Sequence, residues 1–110
     1  MIFVTGPLYA GKREYIQKAL GLSDADFAAR AVWDVQKLAA GADLEQLVDE
    51  LSKKEIVIAT EIGGGLVPLD AGERAAREAA GRLACLLAER ADTVLRVCCG
   101  LPQVLKGEWK

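Results

Sequence analysis

A short glycine-containing segment near the N-terminus has the residue types and spacing of a phosphate-binding site. Gly6 and the pair Gly11-Lys12 stand at G-x-x-x-x-G-K spacing, directly after the apolar residues 2–4. Glycine at both positions permits backbone angles that turn successive N–H groups toward one anion. A helix beginning after Gly11 would add the positive end of its dipole, and Lys12 adds a full charge. We therefore predict a nucleotide phosphate site formed by Gly6, Pro7, Leu8, Tyr9, Ala10, Gly11, Lys12 and Arg13.

Arg13 departs from the usual pattern of such a loop. The position after the lysine ordinarily carries Ser or Thr, whose hydroxyl is a ligand of Mg²⁺. Arginine supplies charge but cannot replace a hydroxyl as a metal ligand, although its side chain could occupy the place of the metal. The alternative interpretation is a strand-to-helix turn that binds nothing. The segment thus favours a nucleotide site over a working magnesium-dependent enzyme.

Two carboxylates follow predicted strands and are the other candidates for chemistry. In a doubly wound sheet, ligands collect at the carboxyl ends of the strands. Asp34 follows the apolar residues 31–33 and is predicted to hold Mg²⁺ directly or through water. Glu61 follows residues 55–60 and is predicted to position an acceptor. The alternatives are a helix cap or solvated charge at Asp34 and a plain crossover loop at Glu61. The candidate catalytic residues are Lys12, Asp34 and Glu61.

The apolar pattern alternates between short strands and longer helical stretches, which predicts an α/β fold. With the phosphate loop, this indicates a P-loop NTPase-like, mostly parallel sheet of four to five strands with flanking helices. The predicted strands are residues 2–5, 31–35, 55–60 and 93–98, with a weaker edge strand at residues 104–106. The predicted helices are residues 11–20, 43–51 and 71–90.

Composition limits the classes of partner. At 110 residues the chain is expected to form a single domain, residues 1–110. Its formal net charge of −2 argues against nucleic acid or an acidic membrane surface as a partner. No apolar run is long enough to cross a bilayer, and no basic region precedes residues 2–4 as in a signal peptide. We therefore expect a cytoplasmic protein.

The chain contains no histidine, which removes imidazole bases and histidine nucleophiles from consideration. It also leaves a zinc site with few ligands. The three cysteines include the adjacent Cys98 and Cys99 but form no C-x-x-C pair. This adjacent pair could be redox-active, but we expect buried thiols that pack as small apolar groups.

Several motifs together indicate a family. The chain carries TEIGGGLVP at residues 60–68, LAERADTV at residues 87–94, GLPQVLK at residues 100–106 and TGPLYAGKR at residues 5–13. They resemble the N/T-E-V-G-x-G-I-V-P, L-A-x-x-A-D-x-V, G-x-P-x-x-L-K and T-G-x-x-x-S-G-K-S motifs of the bifunctional cobinamide kinase and cobinamide-phosphate guanylyltransferase family of cobalamin biosynthesis. Arg74, Arg77, Glu78 and Gly81 match its spaced arginines and R-D-x-x-G pattern, and Asp34 resembles the aspartate of its V-D-C motif.

The resemblance implies GTP or ATP as cofactor, Mg²⁺, a corrinoid small molecule as a possible partner, and homo-oligomers. Members of the family are longer, and the histidine that becomes guanylylated lies in a segment that is reduced here to residues 23–30. Without histidine, guanylyl transfer through that intermediate is chemically unavailable.

Three functions remain open at this point. The first is a nucleotide-binding, kinase-like transferase, at most an NTP-dependent kinase for a cobinamide-type small molecule. The second is a non-catalytic binding or oligomeric interaction protein that has lost nucleotide turnover. The third is a structural remnant without a ligand. We expect neither nucleic acid nor a membrane as a partner in any of them.

Overall fold

The computed structural model describes residues 1–62 and 70–109. It contains one five-stranded sheet with the order β2-β3-β1-β4-β5, in which only β5 is antiparallel to its neighbour. The strands are β1 (Ile2–Thr5), β2 (Ala31–Val32), β3 (Ile56–Ile58), β4 (Thr93–Cys98) and β5 (Leu101–Lys106). The helices are α1 (Lys12–Leu20), α2 (Asp24–Arg30), α3 (Leu44–Leu51) and α4 (Ala71–Arg90). The predicted α/β class and mostly parallel sheet are confirmed.

Apolar side chains on both faces of the sheet explain its three-layer arrangement. Successive residues of a strand point to opposite faces, so Phe3 packs with one buried cluster and Val4 with the other. The Phe3 side is covered by α3 and α4, and the Val4 side by α1 and α2. A strand buried on both faces is typical of a parallel sheet with crossover helices.

Local capping signals account for the observed starts of α3 and α2 and for the end of α1. The Asp43 carboxylate accepts from the Gln46 N–H at 3.3 Å at the start of α3, and Ser23 Oγ accepts from the Asp26 N–H at 3.1 Å at the start of α2. Gly21, with φ of 64°, ends α1 in the left-handed conformation. These bonds involve neighbours in sequence, so the chain signals them locally.

The predicted second strand is wrong beyond Val32. We expected residues 31–35 to be extended, but β2 ends at Val32, and Asp34 adopts a left-handed conformation with φ of 57°. A 3-10 turn, Val35–Leu38, follows. The buried Gln36 in that turn accepts a hydrogen bond from the Thr60 N–H at 2.9 Å. A tertiary contact therefore accompanies the turn where the apolar pattern favoured a strand.

The expectation for the cysteines is also wrong, because Cys85, Cys98 and Cys99 are all exposed. Cys98 and Cys99 lie where β4 meets β5, and Cys99 has φ of 54°. The predicted edge strand is confirmed and longer than expected: β5 begins at Leu101. Within the described parts of the chain, no helix has the length and apolar character that crossing a bilayer requires.

Candidate functional site

The loop from β1 to α1 contains three residues at positive φ, a backbone conformation that residues other than glycine rarely adopt. Gly6 has φ of 150°, Tyr9 has φ of 59° and Gly11 has φ of 80°. A side chain at Gly6 would also overlap the carbonyl oxygen of Val97 on β4. The glycine predicted from spacing is therefore required here both by backbone angle and by the close approach of a neighbouring strand.

Backbone hydrogen bonds hold the loop from both sides. The Glu61 N–H donates to the Gly6 carbonyl at 2.9 Å, from the segment after β3. The Gly100 N–H donates to the Ala10 carbonyl at 2.9 Å, from the turn between β4 and β5. The loop is thus anchored to the strands on either side of β1, which favours a preformed shape.

Lys12 lies buried at the start of α1, and its ammonium donates to the Pro7 carbonyl across the loop at 2.6 Å. Burial lowers the pKa of Lys12 below its ordinary value of 10.5. The carboxylates of Asp34, Glu61 and Glu14 act in the opposite direction without reversing the shift. The structure therefore brings Asp34 and Glu61, the other two predicted catalytic residues, within electrostatic reach of Lys12.

A cavity of about 430 Å³ opens between the loop and the ends of β2 and β3. We call it the loop cavity. Its described lining residues are Leu8, Tyr9, Ala10, Gly11, Lys12, Arg13, Glu14, Trp33, Asp34, Ile58 and Thr60. Most of the predicted loop residues border it, as does Asp34, whereas Glu61 is not among these lining residues.

Asp34 enters the loop cavity from the turn after β2. Its side chain is about half exposed and lies 3.9 Å from the Lys37 ammonium, which is a loose ion pair. Gln36, two residues later, holds the Thr60 N–H and so ties this turn to the end of β3. Sequence reasoning missed Gln36 and Thr60 as a connected pair, because a glutamine after a strand has no distinctive pattern.

Glu61 forms a forked ion pair with Arg96 of β4. The Arg96 Nε and Nη2 atoms donate to the two carboxylate oxygens at 2.6 and 3.0 Å. This hydrogen bonding and charge raise the pKa of Arg96. Arg96 was not predicted from sequence, although a charge inside an otherwise apolar strand was an available signal. The Glu61 carboxylate is therefore already bound to Arg96 through both of its oxygens.

Arg13 lies against an aromatic side chain. Its guanidinium carbon is 5.4 Å from the ring centroid of Trp33, within the range of a cation–π contact. Trp33 in turn stacks on Phe27, with ring centroids 5.5 Å apart and planes inclined by 14°. The cation that replaces the usual hydroxyl is therefore held at the Trp33 side of the loop cavity.

The chemistry of the donors around the loop cavity fits Mg²⁺ bound together with a nucleotide. Within residues 1–62 and 70–109, no cluster of three or more His, Cys, Asp or Glu could hold a metal ion by itself. Mg²⁺ does not require such a cluster, since one or two carboxylates with phosphates and water usually complete its coordination. Asp34 and Glu14 both border the loop cavity and carry suitable carboxylates.

Comparison with known proteins bears on the part of the chain after the loop. A family model described as cobinamide kinase / cobinamide phosphate guanyltransferase matches residues 28–105. No curated protein gave a match. The matched range includes Asp34 and Glu61 and begins after the phosphate loop, whose interpretation rests on its own residues and geometry. Residues 63–69, which carry most of the predicted glycine-proline motif, lie outside the described residues. Since the match covers well over half of the chain, this protein belongs to the cobinamide kinase / cobinamide phosphate guanyltransferase family.

Proposed function

We propose that this protein binds a nucleoside triphosphate, GTP or ATP, with its phosphates at the loop of residues 6–13. The observation that carries the proposal is the buried Lys12 ammonium, whose hydrogen-bond partner within the described residues is the Pro7 carbonyl. A buried cation without a bonded carboxylate is costly, and a phosphate oxygen would compensate it better than a neutral carbonyl does.

The residues around the loop divide the work of holding the phosphates. The loop N–H groups and the positive end of the α1 dipole would attract the phosphates, and Lys12 and Arg13 border the same cavity. Arg13 lowers the pKa of Lys12 through charge repulsion, which a bound polyphosphate would relieve. Asp34 would hold Mg²⁺, which when bound would neutralise charge on the phosphates.

The reaction that these residues support best is phosphoryl transfer to a hydroxyl of a cobinamide-type small molecule. Such transfer depends mainly on positioning and on charge neutralisation, and it needs no histidine. Guanylyl transfer through a histidine intermediate is not part of the proposal, because the chain contains no histidine. Glu61 would have to leave Arg96 before its carboxylate could position an acceptor.

Isothermal titration with GTP and with ATP, with and without Mg²⁺, tests nucleotide binding. We expect micromolar affinity, about −8 kcal/mol, that is lost in Lys12→Ala. Lys18→Ala is the matched control, because Lys18 is an exposed lysine of the same helix. Absence of binding heat with either nucleotide in the unmodified protein would contradict the proposal.

Turnover is tested separately, by following phosphate transfer from ATP or GTP to cobinamide. Arg13→Ser restores the hydroxyl that phosphate loops ordinarily carry. If this variant gains magnesium-dependent transfer or hydrolysis, the site is otherwise complete and only a metal ligand was lost. If neither the unmodified protein nor this variant transfers phosphate while nucleotide still binds, the kinase assignment is wrong and binding alone remains.

A second candidate, a non-catalytic protein that self-associates, is favoured by the exposed strand β5. Leu101, Val104 and Leu105 are exposed by 70%, 44% and 54%, respectively. A long edge strand with exposed apolar side chains is suited to pairing with another chain. Sedimentation would reveal a concentration-dependent oligomer that dissociates in Leu105→Lys, and a monomer at all concentrations would rule this candidate out.

A further inference from the structure

The phosphate loop lacks the hydroxyl that such loops use to bind Mg²⁺, and Arg13 cannot provide one. Its guanidinium lies against Trp33 instead. Within residues 6–13 the remaining hydroxyl is the phenol of Tyr9, so an aliphatic hydroxyl of the kind that binds Mg²⁺ in such loops must come from a different element. The question is which described residue brings a hydroxyl to the loop cavity.

Thr60 is placed to do this by the topology of the sheet. β3 lies between β1 and β2, and the three strands are parallel. Their carboxyl ends therefore meet at one edge of the sheet. Asp34 comes two residues after β2 and Thr60 two residues after β3, and both border the loop cavity together with Lys12.

The two polar groups of Thr60 are used differently. Its N–H donates to Gln36 Oε1 at 2.9 Å, which ties it to the turn that carries Asp34. Within the described residues, its hydroxyl forms no hydrogen bond with another group. Thr60 is half-buried and its backbone is tied to Gln36, so its hydroxyl oxygen lies at the loop cavity and is available to a ligand.

From this arrangement we infer that Thr60 would supply the hydroxyl ligand of a nucleotide-bound Mg²⁺, which the Asp34 carboxylate would also hold. The inference rests on the proposed nucleotide site and specifies how that site acquires its metal. A hydroxyl and a carboxylate are both hard oxygen donors that Mg²⁺ accepts. The phosphates and water supply the other ligands. Gln36 is a positioning residue, since it fixes Thr60 relative to Asp34 and touches no reacting group.

The test measures metal dependence, because a hydroxyl bonded directly to a phosphate would also favour nucleotide binding. GTP affinity is measured by isothermal titration in Mg²⁺ and in EDTA for the unmodified protein, Thr60→Val and Thr60→Ser. We expect Mg²⁺ to tighten GTP binding about tenfold or more, a change as large as the loss of metal affinity that usually follows a substitution next to a metal ligand. Thr60→Val should lose this ratio and Thr60→Ser should keep it.

A second readout detects the metal itself. Mn²⁺ is titrated into protein saturated with GTP and followed by electron paramagnetic resonance. Thr60→Val should weaken Mn²⁺ binding about tenfold or more. Thr60→Ala removes the hydroxyl without adding a methyl group and should weaken Mn²⁺ binding by a similar factor, so it replaces Thr60→Val if that variant does not fold. Thr93→Val is the matched control, because Thr93 is the first residue of β4 and lies at the amino end of the parallel strands, away from the loop cavity.

The outcomes separate this inference from the proposed function. If Thr60→Val weakens GTP binding equally in Mg²⁺ and EDTA, the hydroxyl contacts a phosphate and the inference is overturned. Suppose that GTP binding depends on Lys12, and that Mg²⁺ still tightens it in both Thr60→Val and Thr60→Ala. This result overturns the inference but leaves the proposed function intact. If neither GTP nor ATP binds to the unmodified protein, both the inference and the proposed function are overturned.

Discussion

The two walls of the loop cavity are built by different means. The loop wall, residues 6–13, consists mainly of backbone in unusual conformations, with Gly6, Tyr9 and Gly11 at positive φ. The opposite wall carries side chains of Asp34 and Thr60, which are connected through Gln36. Glycine spacing specifies the first kind of wall within a few residues of sequence. The second kind depends on contacts between residues more than twenty positions apart.

This difference shows why the two walls respond differently to substitution. On the loop wall, the chief cost is backbone strain and overlap at a few positions. On the opposite wall, the chief cost is the loss of the hydrogen bond between Thr60 and Gln36, which leaves the remaining partner unsatisfied. Four changes test the comparison, in order of decreasing expected effect.

Gly6→Ala should have the largest effect, a loss of about 3 kcal/mol in the free energy of unfolding, from strain and overlap together. The new side chain would overlap the Val97 carbonyl at a φ of 150°. Urea unfolding followed by circular dichroism measures the change. Gly81→Ala is the matched control, because Gly81 lies in α4 with open space around it. This variant should gain up to about 1 kcal/mol in the free energy of unfolding, since alanine favours a helix more than glycine does. Equal stability of both variants would mean that the loop yields freely.

Gln36→Leu should destabilise the protein by about 2 kcal/mol, because the Thr60 N–H loses its buried acceptor. Gln36→Glu keeps an acceptor oxygen of similar reach and is the comparison variant, measured below the pKa of the new carboxyl so that no charge is buried. Thermal and urea unfolding report the stability of both. A loss equally large in Gln36→Glu would show that the hydrogen bond to Thr60 is not what stabilises this wall.

Nucleotide affinity should fall at alkaline pH because of Lys12. Only the charged ammonium attracts phosphate, and burial lowers its pKa below 10.5 in the free protein. Affinity should therefore be full below that lowered pKa and should fall above it, by up to about tenfold (1.4 kcal/mol) per pH unit. The phosphates of the ligand are already fully ionised above about pH 8.

Lys12→Arg provides the control for this profile, since a guanidinium stays charged throughout the range. Its affinity should be independent of alkaline pH, whatever its absolute value. Titration calorimetry between about pH 8 and the ordinary lysine pKa of 10.5 makes the measurement. If affinity declines equally with pH in the unmodified protein and in Lys12→Arg, a group other than Lys12 is responsible for the decline.

The contact between Arg13 and Trp33 should give the smallest effect, a coupling of about 0.5–1 kcal/mol. A double-mutant cycle with Arg13→Met and Trp33→Leu isolates it in urea unfolding. The cation lies 5.4 Å from the ring centroid. Additive single substitutions would show that Arg13 is not held by the ring.

Much of the fold was predictable because it follows from local patterns. The helix over residues 71–90 was predicted with the bounds observed for α4, and its buried residues Ala80, Leu83 and Leu87 recur at helical spacing. The helix of residues 43–51 begins with the Asp43 cap that its sequence indicates. Periodicity and caps act within about one helical turn, so a single sequence contains them.

The second strand and the cysteines could not be predicted in the same way. Apolar residues 31–35 satisfy a strand pattern, yet the left-handed Asp34 and the bond from Thr60 to Gln36 accompany a turn there. Cys98 and Cys99 are exposed because β4 ends in a hairpin rather than in the core. Both outcomes depend on where other strands end, which no short window of sequence records.

The order of amino acids is enough to establish the α/β class, the phosphate-loop spacing, the family motifs and the absence of an imidazole. All of these are properties of residue type and short-range order. The folded chain was needed to show that Thr60 borders the same cavity as Asp34 and Lys12, that Glu61 pairs with Arg96 and that Arg13 lies on Trp33. The physical reason is that a parallel sheet brings the ends of distant strands to one edge, where side chains far apart in sequence become neighbours.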